Sequence, residues 1–362
     1  MPFFENTPAY KPPVSVVAQP ARKVQTLEEL GFRIIENIKT SVLLAGLLAK
    51  DKVTVRDTGC GDFVPTGKLA SWTTNEISVD KLMAQDEDCA ETFEGTILQN
   101  MLAAGHASDS DLTGTQIEAL VRVYLEGGVA KLNETQLGLI GDLLDLALNE
   151  QVSPVVYRDA LRIWMLGDKT STDRNYNQTD GLRKKLLTKN PVAGSTAANG
   201  MYRGAAINFA DLEANPSHID ALLEDLIDNG SDELQDIDDE QKAFYLSKSL
   251  YRLAKNRAQT VIPEDKSKFE YDKNSKKVTF DGHEIKQLKL WEQYIKADFP
   301  NGTSPHLALF TVPRNLIWAT DLESDVTTAE FKYEARTRIN WWRVLFRLGA
   351  GFAYDILVSY AI

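Results

Sequence analysis

The strictest pattern in this chain lies near its C-terminal end. From Phe331 the odd positions read Phe331, Tyr333, Ala335, Thr337, Ile339 and Trp341, and the even positions read Lys332, Glu334, Arg336, Arg338 and Asn340. Successive side chains of a strand point to opposite faces. A period of two over about eleven residues therefore predicts one long strand with an apolar and a charged face. The phase then changes, because Trp342, Val344, Phe346 and Leu348 are apolar at even positions. A bulge at Trp341-Trp342 would supply the extra residue that such a slip requires. Truncating Ile339 should then destabilise the subunit, whereas Arg336 and Arg338, on the charged face, are expected to meet neighbouring molecules.

The rest of the chain supplies both helical and extended signals. Residues 1–26 hold five prolines (Pro2, Pro8, Pro12, Pro13 and Pro20) and little periodicity, which predicts an extended arm that needs a neighbour to order it. Leu27 to Leu48 reads as helix, broken near Thr40-Ser41. Lys52 to Arg56 and Asn75 to Leu82 read as strands around the loop Thr58 to Gly67, a long two-stranded excursion that is marginal unless it lies on another surface.

Thr113 with Gln116, and Asn133 with Gln136, form capping-box pairs before apolar periodic runs. Ser153-Pro154 supplies an N-cap and a first-turn proline for a helix from Val155 to Leu166. A loop follows from Gly167 to Gly181. Pro216 to Asn229 reads as an amphipathic helix closed by Gly230, Asp238 to Ala258 as another, and Trp291 to Phe299 as a short one. Phe269 to Ile285 reads as strands with a tight turn at Asp281-Gly282. From Leu307 onward the character is that of strands. No fixed-period repeat is present.

Composition excludes several classes. The chain has 362 residues, 43% of them hydrophobic, which is ordinary globular usage and enough length for two or three subdomains. No apolar run approaches the roughly 20 residues of a membrane span, and the first residues lack a signal-peptide pattern. Two cysteines, Cys60 and Cys89, are too few for a disulfide framework. The net charge of -12 argues against a dedicated nucleic-acid binder, but does not exclude a protein that encloses DNA without gripping it.

No complete catalytic constellation is visible. Asp57-Thr58-Gly59 is the triplet of aspartic proteases, but that chemistry needs two such aspartates sharing a proton, and no second triplet occurs. Cys60 lies between glycines, with His106, His218, His283 and His306 elsewhere, but lacks any Cys/His protease context. Cys60 and Cys89 also lack the spacing of a zinc site. Residues 211–240 hold twelve acids and no Lys or Arg, and Ile227 stands where a calcium loop needs its second ligand. That stretch reads as a solvated face or a contact for a basic partner. Trp341 and Trp342 beside strand arginines could stack on nucleic acid. A core tryptophan and a subunit contact explain them better.

The run Asp325 to Tyr360, with Phe331-Lys332-Tyr333-Glu334-Ala335-Arg336-Thr337-Arg338-Ile339-Asn340-Trp341-Trp342-Arg343 and then Gly349 to Asp355, resembles the C-terminal strands of tailed-phage major capsid proteins. The order of arm, hairpin, helical spine and mixed domain resembles that family across nearly the whole chain. Tyr176-Asn177-Gln178-Thr179-Asp180-Gly181-Leu182 and Ala308 to Leu316 look most like capsid proteins of phages that infect Bacteroidota-type hosts.

The resemblance implies an α+β tailed-phage major-capsid fold. Its parts would be an N-terminal arm and first helix (1–50), an extended hairpin loop (51–86), peripheral-domain helices (87–166), a mixed axial domain (167–318), and C-terminal strands returning to the peripheral domain (319–362). It implies a virion protein, made in the host cytoplasm, whose hexamers and pentamers close an icosahedral shell around double-stranded DNA. No cofactor, metal, membrane or catalytic residue is implied. Scaffold, portal and decoration proteins are the further partners. The candidate interface residues are Phe3, Phe4, Lys68, Trp72, Arg336, Arg338 and Trp342. The competing classes are a portal, tail-tube or decoration protein, a cellular nanocompartment shell, and a hydrolase built on Asp57 or Cys60.

Overall fold

The computed structural model describes residues 25–49, 70–89, 155–260, 268–299, 304–321, 330–334 and 339–362. Helices and strands alternate through them, giving a mixed α+β architecture. Of the described residues, 83–89, 155–156, 330–334 and 339–344 fall in one compact unit and the others in a second.

The second unit begins with a single helical turn. Thr26 caps α1 (Leu27–Leu30) by accepting a hydrogen bond from the Glu29 amide, and Gly31, at φ 76°, closes it after four residues. The helix expected from Leu27 to Leu48 therefore stops almost where it starts. β1 (Arg33–Ile35) and β2 (Ser41–Ala49) follow as strands. An apolar run such as Val42 to Ala49 carries no period that separates buried helix from strand, and pairing with β3 (Ala70–Ser78) decides it. β4 (Asp80–Cys89) continues the chain.

Residues 155–166 form α2 as expected. Trp164 is wholly buried there, stacks on Phe32 with ring centroids 4.6 Å apart, and donates its indole N–H to the Ile317 carbonyl at 2.9 Å. α3 (Leu182–Lys189) follows the expected loop.

The larger core surrounds an eight-stranded sheet in the order β5 (Ser195–Thr196), β6 (Tyr202–Arg203), β15 (Val358–Ala361), β11 (Ala308–Thr311), β7 (Ala243–Ser247), β10 (His283–Leu288), β9 (Val278–Phe280) and β8 (Phe269–Tyr271). Between β6 and β7 run α4 (Phe209–Ala214), α5 (His218–Asp228) and α6 (Asp232–Gln235). α5 contributes Ile219, Leu223 and Leu226 to the core. α7 (Lys248–Thr260) adds Leu250, Leu253 and Ala254. The apolar spacings of three and four put each set on one helical face. α8 (Lys289–Asp298) is the short helix expected near Trp291.

Two features of this sheet differ in legibility. The turn between β9 and β10 is Asp281-Gly282, with φ of 50° and 83°, a two-residue hairpin turn of the type the sequence predicts. The helix expected over Asp238 to Ala258 gives way to a strand in its first half. Ala243 to Ser247 are all buried as β7, parallel to β10 and antiparallel to β11, and the helix starts only at Lys248. Burial between two neighbouring strands overrides the local pattern.

A second sheet orders β1, β12 (Leu316–Ala319), β14 (Ile339–Phe352) and β13 (Glu330–Glu334), with β4 also on β14. The last strand, β15, lies in the eight-stranded sheet between β6 and β11.

The single long strand expected from Phe331 to Trp341 is in fact a hairpin. Phe331 pairs with Trp342, Lys332 with Trp341, and Tyr333 with Asn340, antiparallel. Residues paired across a ladder share a face. Phe331 and Tyr333 therefore share the positions of Trp342 and Asn340, while Ile339 and Trp341 fall with Glu334 and Lys332. The expected face assignment is corrected accordingly. The register runs unbroken through Trp341 and Trp342, so a chain reversal, not a bulge, produces the change of phase.

Candidate assembly surface

β2 and β3 make a two-stranded ribbon with nine consecutive residue pairs, from Ser41↔Ser78 to Ala49↔Ala70. Alternation gives it two unlike faces. On one, Val42 and Leu44 pack with buried Ile77 against Ile38, Val79, Ile317 and Ala319. On the other lie Leu43, Ala45, Leu47 and Ala49, opposite Glu76, Thr74, Trp72 and Ala70. Leu43 is 64% exposed there.

The inner face is fixed at its root by a polar cluster. Asn75 Nδ2 donates to the Phe352 carbonyl and to Asp355 Oδ1, both at 2.9 Å. Lys189 Nζ reaches Asp355 Oδ2 at 2.7 Å and Asn75 Oδ1 at 3.2 Å, and Asn199 Nδ2 reaches Asp355 Oδ2 at 3.2 Å. The Asp355 side chain is only 13% exposed, and charge-assisted bonds in such a setting are the stronger kind. β14 crosses the same root closely. A Cβ on Gly349 would lie 2.4 Å from the Ser78 carbonyl oxygen, and one on Gly351 would lie 2.7 Å from the Ile77 side chain. The glycines in this stretch are what permit that approach. Lys169 also holds Asp80, at 2.8 Å, just past the end of β3.

The residues singled out in the sequence fare differently. Phe3, Phe4, Lys68, Arg336 and Arg338 lie outside the described residues, as do Asp57, Cys60, Lys52 to Arg56 and the capping boxes at 113–116 and 133–136. Trp72 pairs with Leu47 in the ribbon, and Trp342 pairs with Phe331 in the C-terminal hairpin. Leu43 and the Asp355 cluster were missed. Leu43 becomes visible only once Ser41–Ala49 is read as strand, when positions 43, 45, 47 and 49 form an apolar row.

The polar groups most suggestive of chemistry are structural in their setting. Ser249 Oγ lies 2.9 Å from His306 Nδ1, while the Ser249 amide donates to buried Glu292, which also holds Lys296. His306 stacks on Phe209, and burial pushes its imidazole below the ordinary value, with Glu292 opposing. Both Ser249 and His306 are more than nine-tenths buried. His218 pairs with Asp211 at 2.7 Å on the surface, and its hydrogen bond lowers the Asp211 carboxyl from the usual value. Among the described residues no group of three His, Cys, Asp or Glu side chains is placed to hold a metal ion. Among them also, no helix is long and apolar enough to cross a membrane.

The sequence matches no family profile and no curated protein. It is similar in structure to chains of solved phage particles. One is from Mycobacterium phage Ogopogo, at 10% identity and TM-score 0.49, covering 95% of this chain and 94% of that one. Another is from the capsid of Myoviridae phage XM1, at 13% identity and TM-score 0.44, covering 94% and 92%. A third is from the mature capsid of bacteriophage PhiM1, at 10% identity and TM-score 0.42, covering 95% and 89%.

Proposed function

We propose that this chain is a major capsid protein that assembles with copies of itself into an icosahedral shell enclosing double-stranded DNA. The observation that carries the reading is the β2–β3 ribbon. One of its faces is fastened to the body through Ile77 and Asn75, while the other presents Leu43. A two-stranded ribbon is marginal in water on its own, and two strands offer backbone edges for further pairing. A second copy lying over the open face would cover both. The C-terminal resemblance to tailed-phage capsid proteins points the same way, and it extends the reading to a Bacteroidota-type host. On this reading the chain is made in the host cytoplasm and ends in the virion, and scaffold, portal and decoration proteins are its further partners. The domain boundaries expected from the resemblance, and the roles of Phe3, Phe4, Lys68, Trp72, Arg336, Arg338 and Trp342 at subunit contacts, belong to the same proposal.

The test is electron microscopy of the concentrated protein, with Leu43→Ser as control. Closed shells from the native chain support the reading. Rings or tubes would favour a portal or tail component, and a persistent monomer would refute self-assembly. Leu43→Ser is expected to change subunit stability by no more than about 0.5 kcal/mol, as for other exposed substitutions. It should nevertheless weaken shells, since burying a leucine contributes roughly 1.5–3 kcal/mol per contact.

A further inference from the structure

At the N-terminal part of α3, a cavity of about 140 Å³ is lined by Asp168, Thr170, Ser171, Tyr176, Arg183 and Phe299, among others. A water occupies about 30 Å³ of liquid volume, so the space holds a small polyatomic ion. Its polar groups differ in how fully they are used. Asp168 is neutralised by Lys184 at 3.0 Å and accepts from the amide and hydroxyl of Thr170. The Tyr176 hydroxyl donates to Asp298. Ser171 Oγ accepts from the Asp173 amide, which leaves its proton to donate.

Arg183 is the exception. Its Nε is buried with no hydrogen-bond partner, and its guanidinium makes no ion pair among the described residues. Burial lowers the Arg183 guanidinium from its ordinary value; Asp168 opposes that shift and Arg203 adds to it. A desolvated cation with unfilled donors is costly. Asp168 already serves Lys184, so Arg183 has no ion pair of its own among the described residues.

We infer that this cavity is an oxyanion site, in which the planar fork of Arg183 and the hydroxyl of Ser171 hold one carboxylate or phosphate group. Guanidinium groups bind both anions through two parallel hydrogen bonds. The ion comes either from solution or, resting on the assembly reading above, from an acidic side chain of a second copy.

The experiment measures equilibrium dialysis of radiolabelled inorganic phosphate against the unassembled full-length chain. Saturable binding near one phosphate per chain is expected, at least tenfold weaker in Arg183→Gln and several-fold weaker in Ser171→Ala. Arg183→Lys keeps the charge but loses the fork, and is expected to fall between native and Arg183→Gln. If Arg183→Gln does not fold, Ser171→Ala and Arg183→Lys carry the comparison. No saturable binding, or binding that these variants leave unchanged, overturns the site. Assembled particles then separate the sources. Shells that no longer take up phosphate, and whose assembly phosphate slows, identify a second copy's carboxylate. Shells that bind phosphate as the free chain does identify an ion from solution. Failure to form shells would count against the capsid reading while leaving the phosphate measurement on the free chain intact.

Discussion

β7 of the eight-stranded sheet and β2 of the β2–β3 ribbon are similarly apolar strands, yet they are satisfied in opposite ways. In the sheet, β7 has a strand on each side and its five residues are all buried, Phe244 and Leu246 in a core that α5 and α7 share. In the ribbon, one face packs on a core while Leu43 on the other stays 64% exposed, against 1% for Ile77.

The largest effect separating the two regions is expected in the sheet. Phe310 is 1% exposed and stacks on Phe244 with centroids 4.5 Å apart. Phe310→Ala should cost about 3–5 kcal/mol in equilibrium denaturant unfolding, against the near-neutral Leu43→Ser. Equal losses at the two positions would break the contrast.

A smaller effect is expected at the ribbon's root. Asp355→Ala removes the acceptor shared by Asn75, Lys189 and Asn199. The cost should be about 1–3 kcal/mol, the usual range when partly buried donors lose their acceptor. Amides of 41–49 should then exchange with solvent faster, while those of 243–247 keep their rate. Uniform acceleration would mean that the cluster supports the whole unit instead of the ribbon.

The parts of this architecture that could be read from sequence are those with local punctuation. Asp281-Gly282 demanded a tight turn, and Ser153-Pro154 ahead of Val155 to Leu166 marked a helix that is present. Where punctuation is missing, the reading failed. Ala335-Arg336-Thr337-Arg338 separates the arms of the β13–β14 hairpin without a glycine, proline or asparagine, so two arms read as one strand. Ala243 to Ser247 and Val42 to Ala49 are apolar runs whose type is set by distant partners, β10 and β11 in one case and β3 in the other. The surface was less legible than the fold. Arg183 looks like any helix lysine or arginine until the cavity beside it is seen, and Asp355 looks like a turn aspartate until three donors converge on it.

The smallest expected effect is one of pH, confined to the sheet side. His306 faces Ser249 and Phe209, with Glu292 and Lys296 nearby, and its folded-state value lies below the ordinary 6.5. The unfolded chain therefore takes up the proton first as pH falls. The contribution is complete above about pH 6.5 and is lost as pH drops through the lowered folded value. Denaturant midpoints at pH 7.5 and 5.5 should fall further for the native chain than for His306→Asn. Equal drops would remove His306 from the account.

The most direct measurement of the central claim is amide hydrogen exchange over 41–49 and 70–78, compared between free subunits and assembled particles. The account predicts fast exchange in the free ribbon and strong protection after assembly, with 243–247 protected equally in both. A ribbon already as protected in the free subunit as 243–247, and unchanged by assembly, would contradict it.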